Sequence, residues 1–313
     1  MQTEPSREAQ GAVPFFSVVI PAYNRAGQIR RTLESCLAQT EPNFEIVVVD
    51  DGSADDTAGV VEAMGDPRIR CIRQDNAGAS SARNRGSAEA RGDYIAFLDS
   101  DDEFLPEKLA QFRAAISSAD DGEQIVWYSP LFFHRSADNR MVKPDRGIRP
   151  DEPVGDYLFA EDGLMQTSTL VVPRALQNRV RFDESLRCLE DLDLCLRLEA
   201  EGAHFRMLPD PLVIWYDDQS VGRLSYTTRP EEVRDWVALQ SSRLTERAES
   251  GFMARFLVPE IARSEPGRAV SILRRAISAR ALSAKRAAAI LMRGVAPGGY
   301  RRLRDLIVRI RHG

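Results

Sequence analysis

The chain has 313 residues, a length that suits one large domain or two modest ones. With 43% hydrophobic and 28% charged residues it has the composition of a soluble folded protein rather than a disordered, fibrous or membrane-spanning one. No apolar run approaches the roughly 18–20 residues needed to cross a bilayer. The net charge of −5 conceals an asymmetry: residues 263–313 carry thirteen Lys or Arg against two acids, which leaves −16 for residues 1–262.

The first residues, MQTEPSREAQ, contain acids and no apolar segment, unlike a signal peptide. Residues 1–13 are read as a flexible lead-in and the address as cytoplasmic. Cys36, Cys71, Cys188 and Cys195 form no CxxC pair and sit among aliphatic neighbours, as buried small hydrophobes do. The three histidines, His134, His204 and His312, are far apart in sequence, so a histidine-rich metal site is disfavoured and any metal would need carboxylates.

In chain order, FFSVVIP (15–21) reads as a strand, followed by a helix with Ile29, Leu33, Cys36 and Leu37 on one face. FEIVVVDD (44–51) is a second strand whose fully apolar middle suits a parallel sheet covered on both faces. A helix near 54–64, the strand IRCIRQ, a small-residue helix SSARNRGSAEARG and the strand DYIAFLD (93–99) follow. Pro106 is placed in the first turn of a helix running to about Ser118. This βαβαβαβα alternation predicts an α/β sandwich with a mostly parallel sheet, in which ligands bind beyond the carboxyl ends of the strands. Polar residues gather at those ends: Pro21-Ala22-Tyr23-Asn24, Asp50-Asp51 and Asp99-Ser100-Asp101.

In an extended chain residues i and i+2 share a face, so Asp99 and Asp101 are expected to converge. At ~4 Å two carboxylates repel by ~1 kcal/mol in water and ~4 kcal/mol at an effective dielectric of 20. A divalent cation with oxygen ligands, Mg²⁺ or Mn²⁺, would offset that repulsion and bind a diphosphate. The alternative is that these acids are helix-start residues favoured by the macrodipole, which suits Asp102 and Glu103 better than Asp99. A Rossmann fingerprint is missing, since the first turn reads PAYNRAG, and so is a P-loop. Tyr23 offers an aromatic face for a base and Asp51 an acceptor for a ring N–H.

SVVIPAYNRAGQIRRTLESCLAQTEPNFEIVVVDDGSADDT, then NAGASSARNRG, then GDYIAFLDSDD, together resemble the family 2 glycosyltransferases with a GT-A fold. These are inverting enzymes that use nucleotide sugars. The resemblance runs from about residue 15 to 200. It implies that Pro21, Ala22, Tyr23 and Asp51, with Asp50 beside them, cradle uracil and ribose, and that Asn76, Gly78 and Arg83 line the nucleotide site. Arg25 and Ser100 complete that set. Asp101 is the implied direct ligand of Mn²⁺ or Mg²⁺, and Asp99 the second carboxylate, nearer the ribose. For Arg83 the competing reading is a surface cation on a helix.

LRCLEDLDLCLRLEAEG (186–202) reads as a helix with Glu190, Asp191 and Asp193 in its first turn. Helix-start acids need no function. The resemblance, however, makes Asp191 the general base that takes the acceptor hydroxyl's proton, and Glu190 its support or an acceptor contact. One departure stands out: where many relatives carry an Arg-x-His-like element, this chain reads PLVIWYDDQSVGRLS. Trp215 and Tyr216 are read either as sugar-stacking or as core, and Arg223 as a candidate for the diphosphate.

The expected organisation is a lead-in (1–13), a catalytic domain (14–228) split into nucleotide-binding (14–118) and acceptor (119–228) halves, and a basic helical region (229–313). In that region EEVRDWVALQSSRLTERAES is expected as one helix. RRLRDLIVRIRHG interleaves Arg with Ile, Leu and Val, which suits either an anionic membrane surface or packing on an acidic domain. Nucleic acid is disfavoured as a partner, because a catalytic part at −16 repels phosphate. The expected acceptor is a carbohydrate or lipid-linked molecule of cell-envelope or extracellular polysaccharide synthesis. Two other readings use the same residues: a nucleotidyltransferase-like metal enzyme, and a nucleotide-sugar-binding protein without turnover.

Overall fold

A computed structural model describes residues 15–119, 124–136, 139–216 and 229–298. The lead-in, Asp217, Asp218, Arg223 and RRLRDLIVRIRHG lie outside the described residues. The chain divides into two compact units, one of residues 1–143, 165–194 and 201–219, the other of 144–164, 195–200 and 220–313. Residues 144–164 and 195–200, assigned from sequence to the acceptor half, thus cluster with the C-terminal helices.

The first unit begins with β1 (Phe16–Ala22), α1 (Ile29–Leu37), β2 (Phe44–Asp51), α2 (Thr57–Glu62), β3 (Ile69–Gln74), α3 (Ala79–Glu89) and β4 (Tyr94–Phe97). After these come β5 (Glu103–Phe104), α4 (Lys108–Ser117), β6 (Ile125–Tyr128), β7 (Leu131–Ser136) and β8 (Asn139–Lys143). α5 (Val154–Phe159) belongs to the second unit; β9 (Val171–Pro173) and α6 (Arg174–Val180) return to the first. α7 (Glu190–Ala200) starts in the first unit and ends in the second, and β10 (His204–Met207) and β11 (Val213–Tyr216) close the first.

A seven-stranded sheet runs in the order β10-β6-β9-β4-β1-β2-β3. β3, β2, β1 and β4 are mutually parallel, and β9 is antiparallel to both β4 and β6. All eight residues of β2 are buried, as a strand covered on both faces requires. The small-residue helix α3 lies unusually close to β1: a Cβ added at Gly86 would sit 2.5 Å from Val19 Cγ1. A four-stranded sheet, β5-β11-β7-β8, completes the unit.

Three local expectations are corrected. Residues 99–102 are not extended: the Asp102 N–H donates to the Asp99 carbonyl at 3.1 Å and closes a turn, so the i, i+2 argument for Asp99 and Asp101 does not apply. Asp102 and Glu103 are not helix-entry acids either, for Asp102 is fully buried and Glu103 sits in β5, paired with β11. The helix begins only at Lys108, after Pro106 and Glu107 have formed a turn.

The second unit adds α8 (Pro230–Gln240), α9 (Glu246–Phe252), α10 (Val258–Ile261), α11 (Pro266–Ser278) and α12 (Ala284–Val295). The stretch expected as one helix is therefore two, with α9 restarted by Thr245, whose side chain accepts the Ala248 N–H. Its core is aromatic: Trp236 stacks on Phe252 at 4.4 Å, and Phe159 meets both edge-on. Between α9 and α10 the residues Met253–Leu257 form a wide π turn. Pro259 accounts for it, since it has no N–H for the carbonyl four residues back and its ring crowds that carbonyl. The four cysteines are free thiols, Cys36 and Cys195 buried, Cys71 and Cys188 half-buried. No described helix is long and apolar enough to cross a membrane.

Candidate active site

The carboxyl ends of β1, β2 and β4 lie side by side, so the loops that follow them share one edge. Tyr23, just past β1, is 48% exposed and presents its ring there. Beyond it the loop is pinned to the one after β2: Asn24, in the left-handed region at φ 53°, accepts the Ala54 N–H at 2.8 Å, and the Arg25 N–H donates to Thr57 Oγ1 at 2.8 Å. Pro21 and Ala22 are buried in the strand beneath.

Asp51 organises the loop that follows β3. Its Oδ1 accepts from Gln74 Nε2 and the Ala77 N–H, and its Oδ2 from the Gly78 N–H, all within 2.9 Å. Asn76 Nδ2 also donates to the Asp51 carbonyl at 2.9 Å. Three of about four carboxylate acceptor positions are thereby filled, which leaves a lone pair on Oδ2. Gly78, at φ 93°, supplies a conformation closed to other residues and opens α3. Asp50, by contrast, is not brought to this surface. Successive strand residues face opposite ways, and the Asp50 carboxylate instead takes the Ser53 N–H at 3.0 Å and pairs with Arg73 at 3.2 Å.

The turn after β4 is held from below. Thr32 Oγ1 donates to the carbonyls of Ser100 and Asp102, and Ser100 itself is buried. Asp99 Oδ1 accepts from Arg83 Nη2 at 2.7 Å and its Oδ2 from Gln166 Nε2 at 2.9 Å. Gln166 and Ser168 also reach Asp102 Oδ2, at 3.2 and 2.7 Å. Asp101 stands further out, with a carboxylate 30% exposed and 3.9 Å from Arg25 Nη2. Among the described residues no group of three or more His, Cys, Asp or Glu side chains is gathered for a metal. A divalent cation fits here only as a one- or two-carboxylate site completed by phosphate oxygens and water, which is the usual habit of Mg²⁺. Asp101 suits it better than Asp99, whose oxygens already accept Arg83 and Gln166.

Arg83 is not a surface cation. Its side chain is 5% exposed, packs 5.2 Å over the Phe182 ring, and reaches Glu190 Oε1 with Nη1 at 3.0 Å. One guanidinium therefore ties the end of β4 to the start of α7. Burial opposes its charge, but Asp99 and Glu190 outweigh burial and hold its pKa above the ordinary arginine value. Next to it, burial and then the negative charge of Glu190 push the half-buried Asp191 up to about 7, while the Leu192 N–H on its Oδ1 at 2.8 Å and Arg83 pull the other way. Leu189, immediately before these acids, is held at φ 66°, a strained conformation for such a residue.

Asn84, Gln166 and Ser168 escape a reading of the sequence, and the buried role of Asp102 differs from the helix-start reading given to it. The signal for Gln166 and Ser168 was the polar run QTST, one residue before the buried strand VVP; its side chains prove inaccessible. Tyr216 is half-buried: its hydroxyl donates to Glu103 at 2.6 Å and Arg31 lies 4.0 Å over one face of its ring. Trp215 packs edge-on against Phe133.

The chain matches the family model for glycosyl transferase family 2 over residues 17–151. It is 32% identical over 243 residues to the amylovoran biosynthesis glycosyltransferase AmsB of Erwinia amylovora, covering 74% of this chain and 79% of that one. It is 33% identical over 247 residues to the succinoglycan biosynthesis protein ExoO of Rhizobium meliloti, covering 76% and 70%. Among solved structures it resembles S. aureus TarS 1-349 in complex with UDP-GlcNAc, with a TM-score of 0.61, 21% identity, and 88% and 84% of the two chains covered. That likeness gives the same GT-A fold. The α/β sheet, the polar strand ends and these matches place the chain in glycosyl transferase family 2.

Proposed function

We propose that the chain is an inverting glycosyltransferase that moves a sugar from a nucleotide diphosphate sugar, a UDP-sugar in the first instance, to an acceptor hydroxyl. The observation that carries this reading is the single guanidinium of Arg83 joining Asp99 to Glu190, beside an Asp191 whose pKa stands at about 7. A strand end suited to the donor and a carboxylate suited to proton abstraction are thus fixed in one network. A general base is most effective when its pKa lies near the operating pH.

In this reading Tyr23 stacks on the base, and the loop of Asn76 and Gly78, fastened by Asp51, lines the nucleotide. Arg25 and Asp101 meet the diphosphate. Asp101, with phosphate oxygens, would hold Mn²⁺ or Mg²⁺, which when bound offsets charge growing on the leaving diphosphate. Asp191 takes the proton of the acceptor hydroxyl as its oxygen bonds to the anomeric carbon, the bond to the diphosphate breaks in line, and configuration inverts. Glu190 keeps Arg83 in place and raises the basicity of Asp191.

The polysaccharide names of AmsB and ExoO support a role in polysaccharide synthesis, and in this reading the product belongs to the cell envelope or an extracellular polysaccharide or glycolipid, with a carbohydrate or lipid-linked acceptor met at the cytoplasmic face of the membrane. UDP release from UDP-sugars in the presence of Mn²⁺ tests the assignment with wild type, Asp101→Ala and Asp191→Ala. Both variants should lose at least a hundredfold in turnover. Unchanged release in both would sink the proposal, and a product anomer of the donor's configuration would refute inversion.

A further inference from the structure

The second unit contains a cavity of about 380 Å³ that the glycosyl-transfer chemistry does not use. Such a volume lies in the range of small-molecule sites and far exceeds what a phosphate ion needs. Its wall combines three guanidiniums, Arg255, Arg286 and Arg293, with one carboxylate, Asp162, and with the apolar side chains of Phe256 and Ile290. Arg286, Ile290 and Arg293 are spaced i, i+4, i+7 and so present one face of α12. Arg255 and Phe256 come from the wide turn at Met253–Leu257, and π turns of this kind recur at functional sites.

The charges do not balance. Asp162 offers Oδ1 to Arg255 Nη2 at 2.6 Å and Oδ2 to Arg286, so one anion serves two cations. Arg293 is a third, so the lining side chains carry an excess of two positive charges, with Arg286 and Arg293 open to solvent. Arg255 is largely buried, and burial lowers its pKa below the ordinary arginine value despite Asp162. An anion entering here would relieve that excess, and guanidiniums bind phosphoryl oxygens in paired hydrogen bonds. The apolar side chains have nothing to offer an inorganic ion. They suit a hydrocarbon group attached to it.

We infer that this cavity binds a phosphate ester carried on an apolar chain, the phosphoryl group between Arg286 and Arg293 and the chain against Phe256 and Ile290. The ester has two sources, a soluble prenyl-type phosphate or the headgroup of an anionic lipid. Both present the same chemistry.

Isothermal titration of the full-length protein with geranyl phosphate, inorganic phosphate and geraniol, all without donor sugar, tests the inference. Geranyl phosphate should bind at least tenfold more tightly than either fragment. Arg293→Glu, at an exposed position, should weaken it tenfold or more, and Ile290→Ala should weaken geranyl phosphate while leaving inorganic phosphate unchanged. UDP release should be unaltered in both variants, so a failure here leaves the proposed reaction standing. Absence of geranyl phosphate binding, equal affinity for inorganic phosphate, or indifference to both substitutions would overturn it. Flotation with vesicles containing phosphatidic acid separates the sources: binding lost in Arg293→Glu supports a membrane lipid, and no flotation with intact geranyl phosphate binding supports a soluble ester.

Discussion

Replacing Asp191 with Asn separates the proposed catalytic use of this residue from its cost to the fold. Asn resembles the protonated acid in shape and charge but cannot ionise. In the unfolded chain an aspartate has its ordinary pKa near 3.8, whereas in the folded protein burial and Glu190 move Asp191 to about 7. Between those values the folded state binds more protons than the unfolded one, so stability falls as pH rises through the interval and levels off above it. At ~1.4 kcal/mol per pH unit, raising the pH from 5 to 8.5 removes at most about 3 kcal/mol through this residue. Because Glu190 shares the effect, on the order of 1–3 kcal/mol is expected. Urea denaturation of wild type and Asp191→Asn at the two pH values measures it directly. The variant should gain on wild type by that amount at pH 8.5 relative to pH 5, while its transferase turnover falls at least a hundredfold. If the stability difference between the two proteins is the same at both pH values, Asp191 does not carry a raised pKa and the reasoning fails.

The other predictions concern the residues that hold the site. Arg83→Leu leaves Asp99 and Glu190 without their common cation and should cost about 3–5 kcal/mol in denaturant unfolding, as loss of one partner of a buried ion pair does; a cost below about 1 kcal/mol would show that the network is incidental. Gly52→Ala places a Cβ 2.8 Å from the Asn76 N–H at a residue with φ 74°, so strain on the order of 1–3 kcal/mol should lower the melting temperature and weaken UDP binding. Retained UDP affinity in that variant would disconnect the turn after β2 from the nucleotide loop.

The parts legible in the sequence are those that local pattern decides. FEIVVVDD forms a strand at the expected residues because its apolar content suits a sheet covered on both faces, and IRCIRQ forms the half-buried strand at the edge of that sheet. The first turn of α7 carries Glu190, Asp191 and Asp193 as the spacing implied. What the pattern missed depends on distant partners. The 99–102 segment turns because Thr32, on a helix nearly seventy residues earlier, captures two of its carbonyls. Asp102 is buried because Gln166 and Ser168, more than sixty residues later, supply donors for it. Lys108 is the same kind of case: its ammonium is fully buried between the rings of Phe104 and Phe112, and burial drives its pKa well below the ordinary lysine value. No feature of DSDDEFLPEK distinguishes these buried ions from solvated ones.

Asn84 spans the two sequence segments from which the site is assembled. Its amide gives Nδ2 to the Phe182 carbonyl and to Glu184, and takes the Phe182 N–H on Oδ1, each within 2.9 Å. Unlike Arg83, this clamp is built around a group with no proton to gain or lose. Titrating Asp191 will therefore alter the electrostatics beside Arg83 while the backbone from α3 to residue 182 keeps its register. The proposed reaction thus divides the labour: ionisable side chains would set reactivity, and a neutral amide keeps the ruler by which their distances are measured.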